Sequence, residues 1–160
     1  MRQDTAAHSP VLAITAGEPA GIGPDIVLQL AQTPLSLRLV IVADADLLGE
    51  RAQQLGLDVR QRRVATEIPP HEQGSICIHH VPLEHPVQCG QPDPANARSI
   101  LNALQVAANA CLDHTWDALV TGPLQKSTIN DAGIPFSGHT EFLAGLMGAE
   151  TPVMMLVADQ

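Results

Sequence analysis

Two apolar runs, each emptying into a glycine-bearing turn and then a helix, constrain this chain more than any other feature. Val11-Leu-Ala-Ile14 runs into Thr15-Ala-Gly-Glu-Pro-Ala-Gly-Ile-Gly-Pro-Asp25, and Asp117-Ala-Leu-Val120 runs into Thr121-Gly-Pro-Leu-Gln-Lys126. Short, unalternating apolar runs suit strands buried on both faces of a parallel sheet. Gly21 and Gly23 allow a tight turn after the first strand, Pro24 fits the first helical position, and Asp25 lies beside the positive helix end. Ile26, Val27 and Leu30 then recur at helical spacing. Ligands of open α/β sheets collect where such strands end, so both turns are candidate binding positions.

The alternation continues along the chain. Leu37–Val42 reads as a second buried strand, and Asp44 as the N-cap of a helix through Leu47, Leu48, Arg51 and Leu55 that Gly56 stops. Further strands are expected over Leu57–Arg62 and Ser75–His80, with a break at Ile68-Pro-Pro70 between them. Four prolines between Val81 and Pro94 mark a loop. The longest helical pattern runs from Ala95 to Asp113, with Ile100, Leu101, Leu104, Ala108, Cys111 and Leu112 on one face. A short helix over Leu124–Asn130, a helix starting at His139 or Thr140, and a last apolar strand over Pro152–Val157 complete the reading. The pattern predicts an α/β fold with a mainly parallel sheet and flanking helices. Residues 1–9 read as a mobile leader and residues 10–160 as the α/β portion.

Composition narrows the function classes. Trp116, Phe136 and Phe142 are the only aromatic residues besides histidine, so the core must be aliphatic. Eight basic against seventeen acidic residues give a net charge of -9, which disfavours nucleic acid and anionic membranes as partners. It leaves room for a phosphorylated metabolite, because one local cation and a few N–H groups outweigh a distant field. No apolar run approaches the roughly 20 residues that span a bilayer. Cys77, Cys89 and Cys111 cannot all pair within the chain and lack metal-ligand spacing. A reducing cytoplasm is the simplest location.

The chemistry sits in three segments. Gly21-x-Gly23 has Ile26 where the dinucleotide fingerprint needs its third glycine, and Asp25 would repel a pyrophosphate. A purely structural turn is the competing reading. Lys126, the sole lysine, offers a point charge to a phosphate or a developing oxyanion, against the alternative of a solvated surface lysine. In Ser137-Gly-His-Thr-Glu-Phe142 an imidazole and a hydroxyl adjoin at a helix start, where free N–H groups favour an anionic or polyhydroxylated ligand. A simple N-cap by Ser137 or Thr140 is the alternative. His79 and His80 are neighbours on a strand and point to opposite faces, so they cannot readily share an ion. His71, His85 and His114 lie in loops or at a helix end and read as solvated or locally bonded.

Together these signatures resemble the 4-hydroxythreonine-4-phosphate dehydrogenase family of pyridoxal phosphate biosynthesis, over about Val11 to Val157. The opening turn is also similar to that of the isocitrate and isopropylmalate dehydrogenases, which bind NAD(P) without a Rossmann domain. The resemblance implies a two-domain enzyme, homodimeric, with the active site in a cleft at the dimer interface. It implies oxidation of 4-phosphooxy-L-threonine with NAD(P) and a divalent cation such as zinc, cobalt or magnesium, followed by decarboxylation to 3-amino-2-oxopropyl phosphate. His139 and Thr140 match the family's adjacent substrate-binding pair, with Lys126 a weaker candidate. The family's chains are about twice as long, and its three metal-binding histidines lie in the later half, without counterparts here. The expectation is therefore the N-terminal portion of such an enzyme, inactive alone. A dehydrogenase for a threonate or erythronate phosphate, or a noncatalytic binding module, are the competing readings.

Overall fold

The computed structural model describes residues 9–64 and 67–158. The expected leader therefore falls, apart from Ser9, outside the described residues. Five parallel strands, β1 (Val11–Thr15), β2 (Arg38–Ala43), β3 (Arg60–Arg63), β4 (Ser75–His80) and β5 (Ala118–Thr121), form one sheet in the order β3-β4-β2-β1-β5. Register is tight at the centre, where Ile14 lies between Ile41 and Val120. The order reverses direction at β1. Strands after β1 build outward through β2, while β5 returns to its other side.

Helices cover both faces. On one, α1 (Gly23–Leu30) and α2 (Ala45–Leu55) bury Val27, Leu28, Leu48 and Ala52 against Ile41, Ile76 and Ile78. On the other, α3 (Ala97–Leu112) lays Ala107 over Val11, Ala13, Val40 and Val42, with Trp116 beside it. Small alanines let α3 approach the sheet closely, which is how a core with so few aromatic rings closes. The N-terminal end of α3 then packs α4 (Lys126–Asp131) and α5 (His139–Met147) through Ile100, Ile129, Phe136 and Phe142.

Local chemistry fixes the ends of these elements. Asp44 caps α2 by accepting from Asp46 and Leu47 N–H at 2.8 and 2.9 Å. Its second oxygen accepts from Leu83 N–H at 3.0 Å, tying the post-β4 loop to the helix. Gly56 ends α2 in the left-handed conformation, φ 65°. A short 3₁₀ turn over Pro94–Asn96 leads into α3, where a continuous helix from Ala95 was expected.

Two expectations need correction. The third strand starts at Arg60 rather than Leu57, because Leu57 and Val59 are drawn onto the α1–α2 face of the core and the ladder opens only at the Arg60 N–H to Gly74 bond of 2.9 Å. Pro152–Val157 is not a strand. It pairs with no strand among the described residues, and Val153 and Leu156 are 89% and 91% exposed. Apolar sequence specifies burial only when a neighbour supplies the ladder.

Leu48 is fully buried where α2 meets the sheet. Leu48→Ala should lower unfolding free energy by about 2–5 kcal/mol in urea denaturation. A loss below about 1 kcal/mol would show that α2 is not docked as described.

Candidate functional site

The two glycine-bearing turns meet at the carboxyl ends of β1 and β5 and are joined by backbone alone. Gly122 N–H donates to the Thr15 carbonyl and Glu18 N–H to the Pro123 carbonyl, each at 2.8 Å. Glycine is required for this approach. A Cβ on Gly17, where φ is 75°, would strike the Pro123 carbonyl, and one on Gly122 would strike Thr15 and Ala16. Gly23 likewise packs against the Ala16 carbonyl. The turn is thus packed by its own chain on the side where a Cβ would stand, which supports the structural reading of these glycines.

Arg51 braces the same turn from α2. It is 4% exposed, pairs with Asp25 at 2.7 Å, and donates to the Pro19 and Gly21 carbonyls at 3.3 and 3.4 Å. Asp25 is therefore the partner of a buried guanidinium as well as a helix-terminal acid. Sequence reasoning placed Arg51 on α2 without a role. Its signal was position: it stands one turn after Leu48 and next to Ala52, on the helix face that enters the core.

The second segment is positioned by a side-chain latch. Asn130 Nδ2 donates to the Phe136 carbonyl at 3.1 Å, and Phe136 N–H donates to Asn130 Oδ1 at 2.9 Å. This holds the loop into Gly138, the N-cap of α5, at φ 156° and ψ 178°, a conformation essentially reserved for glycine. A Cβ there would lie 3.2 Å from both Lys126 Nζ and Glu141 Oε2. Lys126, at the first turn of α4, thus reaches across to the start of α5.

His139 opens α5 with its ring half-buried against the edge of Phe136, centroids 6.4 Å apart. Its Nε2 is buried without a partner. Interaction with the Gly122 backbone favours the charged form of the ring. Burial, assisted by the Lys126 charge, outweighs that interaction and holds the imidazole below its usual 6.5. Thr140 is half-buried beside it. The structure brings His139 and Lys126 together at the Gly122–Gly138 junction, with Thr140 adjacent in the chain.

Three other histidines have local partners. His80 Nδ1 accepts from Ala45 N–H at 3.1 Å, while His79 meets Trp116 edge-on at 5.6 Å. His71 Nε2 lies 2.9 Å from the Thr33 carbonyl. Among the described residues no group of three or more His, Cys, Asp or Glu side chains could hold a metal ion. No helix among them is long and apolar enough to cross a membrane.

Fold and site together define an open, parallel α/β protein whose candidate ligand groups gather where β1 and β5 end. Residues 36–160 match the pyridoxal phosphate biosynthetic protein PdxA family, and the chain belongs to that family. It is 51% identical over 152 residues to the 4-hydroxythreonine-4-phosphate dehydrogenase of Thioalkalivibrio sulfidiphilus, covering 94% of this chain and 46% of that protein. The solved 4-hydroxythreonine-4-phosphate dehydrogenase from Burkholderia phymatum superposes with TM-score 0.84 at 29% identity, covering 94% of this chain and 47% of that one. A terephthalate 1,2-cis-dihydrodiol dehydrogenase from Burkholderia xenovorans superposes with TM-score 0.68 at 26% identity, covering 88% and 41%. The chain spans about half the length of the relatives it matches.

Two outcomes follow from this geometry. Arg51→Met leaves the Asp25 carboxylate without its partner and should cost about 3–5 kcal/mol, read by denaturant unfolding. Lys126→Met should raise the His139 pKa, read by NMR titration of the ring. The depressed pKa sets the sign of the stability linkage: His139's contribution is intact above its unfolded-state value and is lost as pH falls through the lower folded value. An unmoved titration would place Lys126 away from the ring.

Proposed function

We propose that this chain is the N-terminal portion of a 4-hydroxythreonine-4-phosphate dehydrogenase acting in pyridoxal 5'-phosphate biosynthesis. The observation that carries the reading is the 51% identity, across nearly the whole chain, to a relative of that name. The complete enzyme oxidises 4-phosphooxy-L-threonine to 2-amino-3-oxo-4-phosphooxybutyrate, which decarboxylates to 3-amino-2-oxopropyl phosphate. It is a two-domain protein similar in plan to the isocitrate and isopropylmalate dehydrogenases, a homodimer, and cytoplasmic. Residues 10–160 are then the first part of that fold.

Within this chain the proposed duties are those of substrate binding. Lys126 supplies the cation for a phosphate or a developing oxyanion. His139 presents Nε2, and Thr140 offers a hydroxyl that donates or accepts. The latch between Asn130 and Phe136 supports the reading, because it fixes the loop that leads into α5, where both stand. NAD(P) takes the hydride, and a divalent cation polarises the alcohol oxygen, in the complete enzyme. Among the described residues no group of three or more His, Cys, Asp or Glu side chains could hold a metal ion, and Gly21-x-Gly23 lacks the third glycine of the dinucleotide fingerprint. We therefore assign the metal ligands and most of the cofactor contacts to the length of the relatives that this chain does not match.

The similarity to a dihydrodiol dehydrogenase favours a second reading, in which the complete enzyme oxidises a different vicinally oxygenated substrate, such as a threonate or erythronate phosphate. Comparing kcat/KM for 4-phosphooxy-L-threonine and threonate 4-phosphate in the complete enzyme separates the two.

The 160-residue chain alone should show no metal-dependent NAD(P) reduction with 4-phosphooxy-L-threonine above a blank. Robust turnover by material of confirmed intact mass would overturn the assignment of metal and cofactor contacts elsewhere. In the complete enzyme His139→Ala should reduce turnover by about 10²-fold or more while leaving the melting temperature within a few degrees. Loss of folding with unchanged activity per folded molecule would make His139 structural.

A further inference from the structure

Parallel strands are joined by crossovers, and a helix usually fills that crossover. Between β3 and β4 the described residues contain no helix; Pro69 and Pro70 stand in the connection, which reaches the α3 side of the core through Val64 and Ile68. A cavity of about 170 Å³ lies between this connection and the amino-terminal halves of the two strands.

Register fixes which side chains share its sheet wall. Arg60 pairs with Ser75 and Arg62 with Cys77, and residues two apart on a strand share a face. Both arginines therefore rise from the same side of the sheet as the Ser75 hydroxyl and the Cys77 thiol. All four line the cavity, together with His71 and Glu72 of the connection.

The charges there are unevenly answered. Three of the eight Lys and Arg residues, in a chain of net charge -9, stand on this four-residue strand. Arg63 belongs to the other face and pairs with Asp46 at 2.9 Å. Arg60 meets Glu72 at 3.4 Å with the side chains 70% and 65% exposed, a contact that contributes little in water. Arg62 has no ion pair among the described residues. Its charge acts on the Cys77 thiol, whose pKa burial raises and Arg62 pulls back. Two guanidinium groups against one loosely held carboxylate leave the cavity wall with a positive surplus.

We propose that this cavity is a second anion site, in which Arg60 and Arg62 donate to the oxygens of a small oxyanion, a phosphate or a short-chain carboxylate. Guanidinium forks match either group bidentately. With about 30 Å³ as the share of one water, the space admits a phosphate or a short acid and is too small for a dinucleotide. The site stands at the amino ends of the strands, whereas Lys126 and His139 follow the carboxyl end of β5, and it does not rest on the dehydrogenase reading.

The test is thiol alkylation of the complete protein, mapped by peptide mass at an ionic strength held constant with chloride, with inorganic phosphate and succinate as probes. A bound probe should slow modification of Cys77, while Cys111, which does not line the cavity, keeps its rate. Arg62→Met should raise the probe concentration needed for protection about tenfold or more, the loss of a charge-assisted pair. The melting temperature should hold, because Arg62 is exposed. Lys126→Met should leave protection intact, which separates this site from the proposed substrate phosphate contact. Protection by phosphate alone selects a phosphate ligand, and by succinate alone a carboxylate. Protection by neither probe, or protection that survives Arg60→Met with Arg62→Met, overturns the proposal and leaves the arginines as edge charges only. Protection lost with Lys126→Met, or a Cys77 thiol unreactive without either probe, overturns it as well.

Discussion

The contact on which the rest of the structure depends is a backbone junction between two turns that lie about a hundred residues apart. The hydrogen bonds from Gly122 to Thr15 and from Glu18 to Pro123 close the carboxyl ends of β1 and β5 into one surface. They form only because no side chain stands at Gly17, Gly23 or Gly122. Everything near the candidate site inherits its position from that contact. The His139 ring lies against the Gly122 backbone, and the segment that leads to Lys126 at the start of α4 begins at Gly122.

Arg51 explains how a turn so rich in polar backbone remains fixed. One buried guanidinium satisfies Asp25 and the carbonyls of Pro19 and Gly21 at once. Such a pair is poor evidence of net stability, because desolvating both charges offsets much of their attraction. Its value here is geometric: it couples α2 to the turn before α1, so the signature segment cannot move without disturbing the core.

The two edges of the sheet are managed differently. β3 carries Arg60, Arg62 and Arg63 in the open, with Arg63 paired to Asp46 at 2.9 Å, and charged edge residues discourage further strand pairing. β5 has no such guard. Beside it Ile14, Ile26, Leu30 and Val120 line a 230 Å³ apolar cleft, and Ile26 and Val120 are about half exposed, at 51% and 48%. That edge is also the one nearest the candidate site, so an uncovered apolar cleft adjoins the residues proposed to bind substrate.

Strand and helix identities were legible in the sequence wherever a local rule sufficed. Apolar runs marked β1, β2, β4 and β5. Asp44 and Gly56 bounded α2, and a 3.6-residue period marked α3. His139 and Thr140 could be named as candidates through a family resemblance, and Lys126 through its being the sole lysine, placed just after a strand end. The sequence could not settle whether Gly21 and Gly23 served a ligand or the chain, because glycine tolerates either use. It gave no sign that Glu18 would be buried, since hydropathy assigns it to water, and the only sign for Arg51 was its place on the core-facing side of α2. It also overstated Pro152–Val157, where apolar composition suggested a strand. By itself, then, the sequence determined the elements and the chemical groups available, because propensity, capping and periodicity act over a few residues. Only the tertiary structure decided which groups meet, because the Thr15–Gly122, Glu18–Pro123 and Arg51–Asp25 contacts join segments distant in the chain, and their energies exist only after the sheet has brought those segments together.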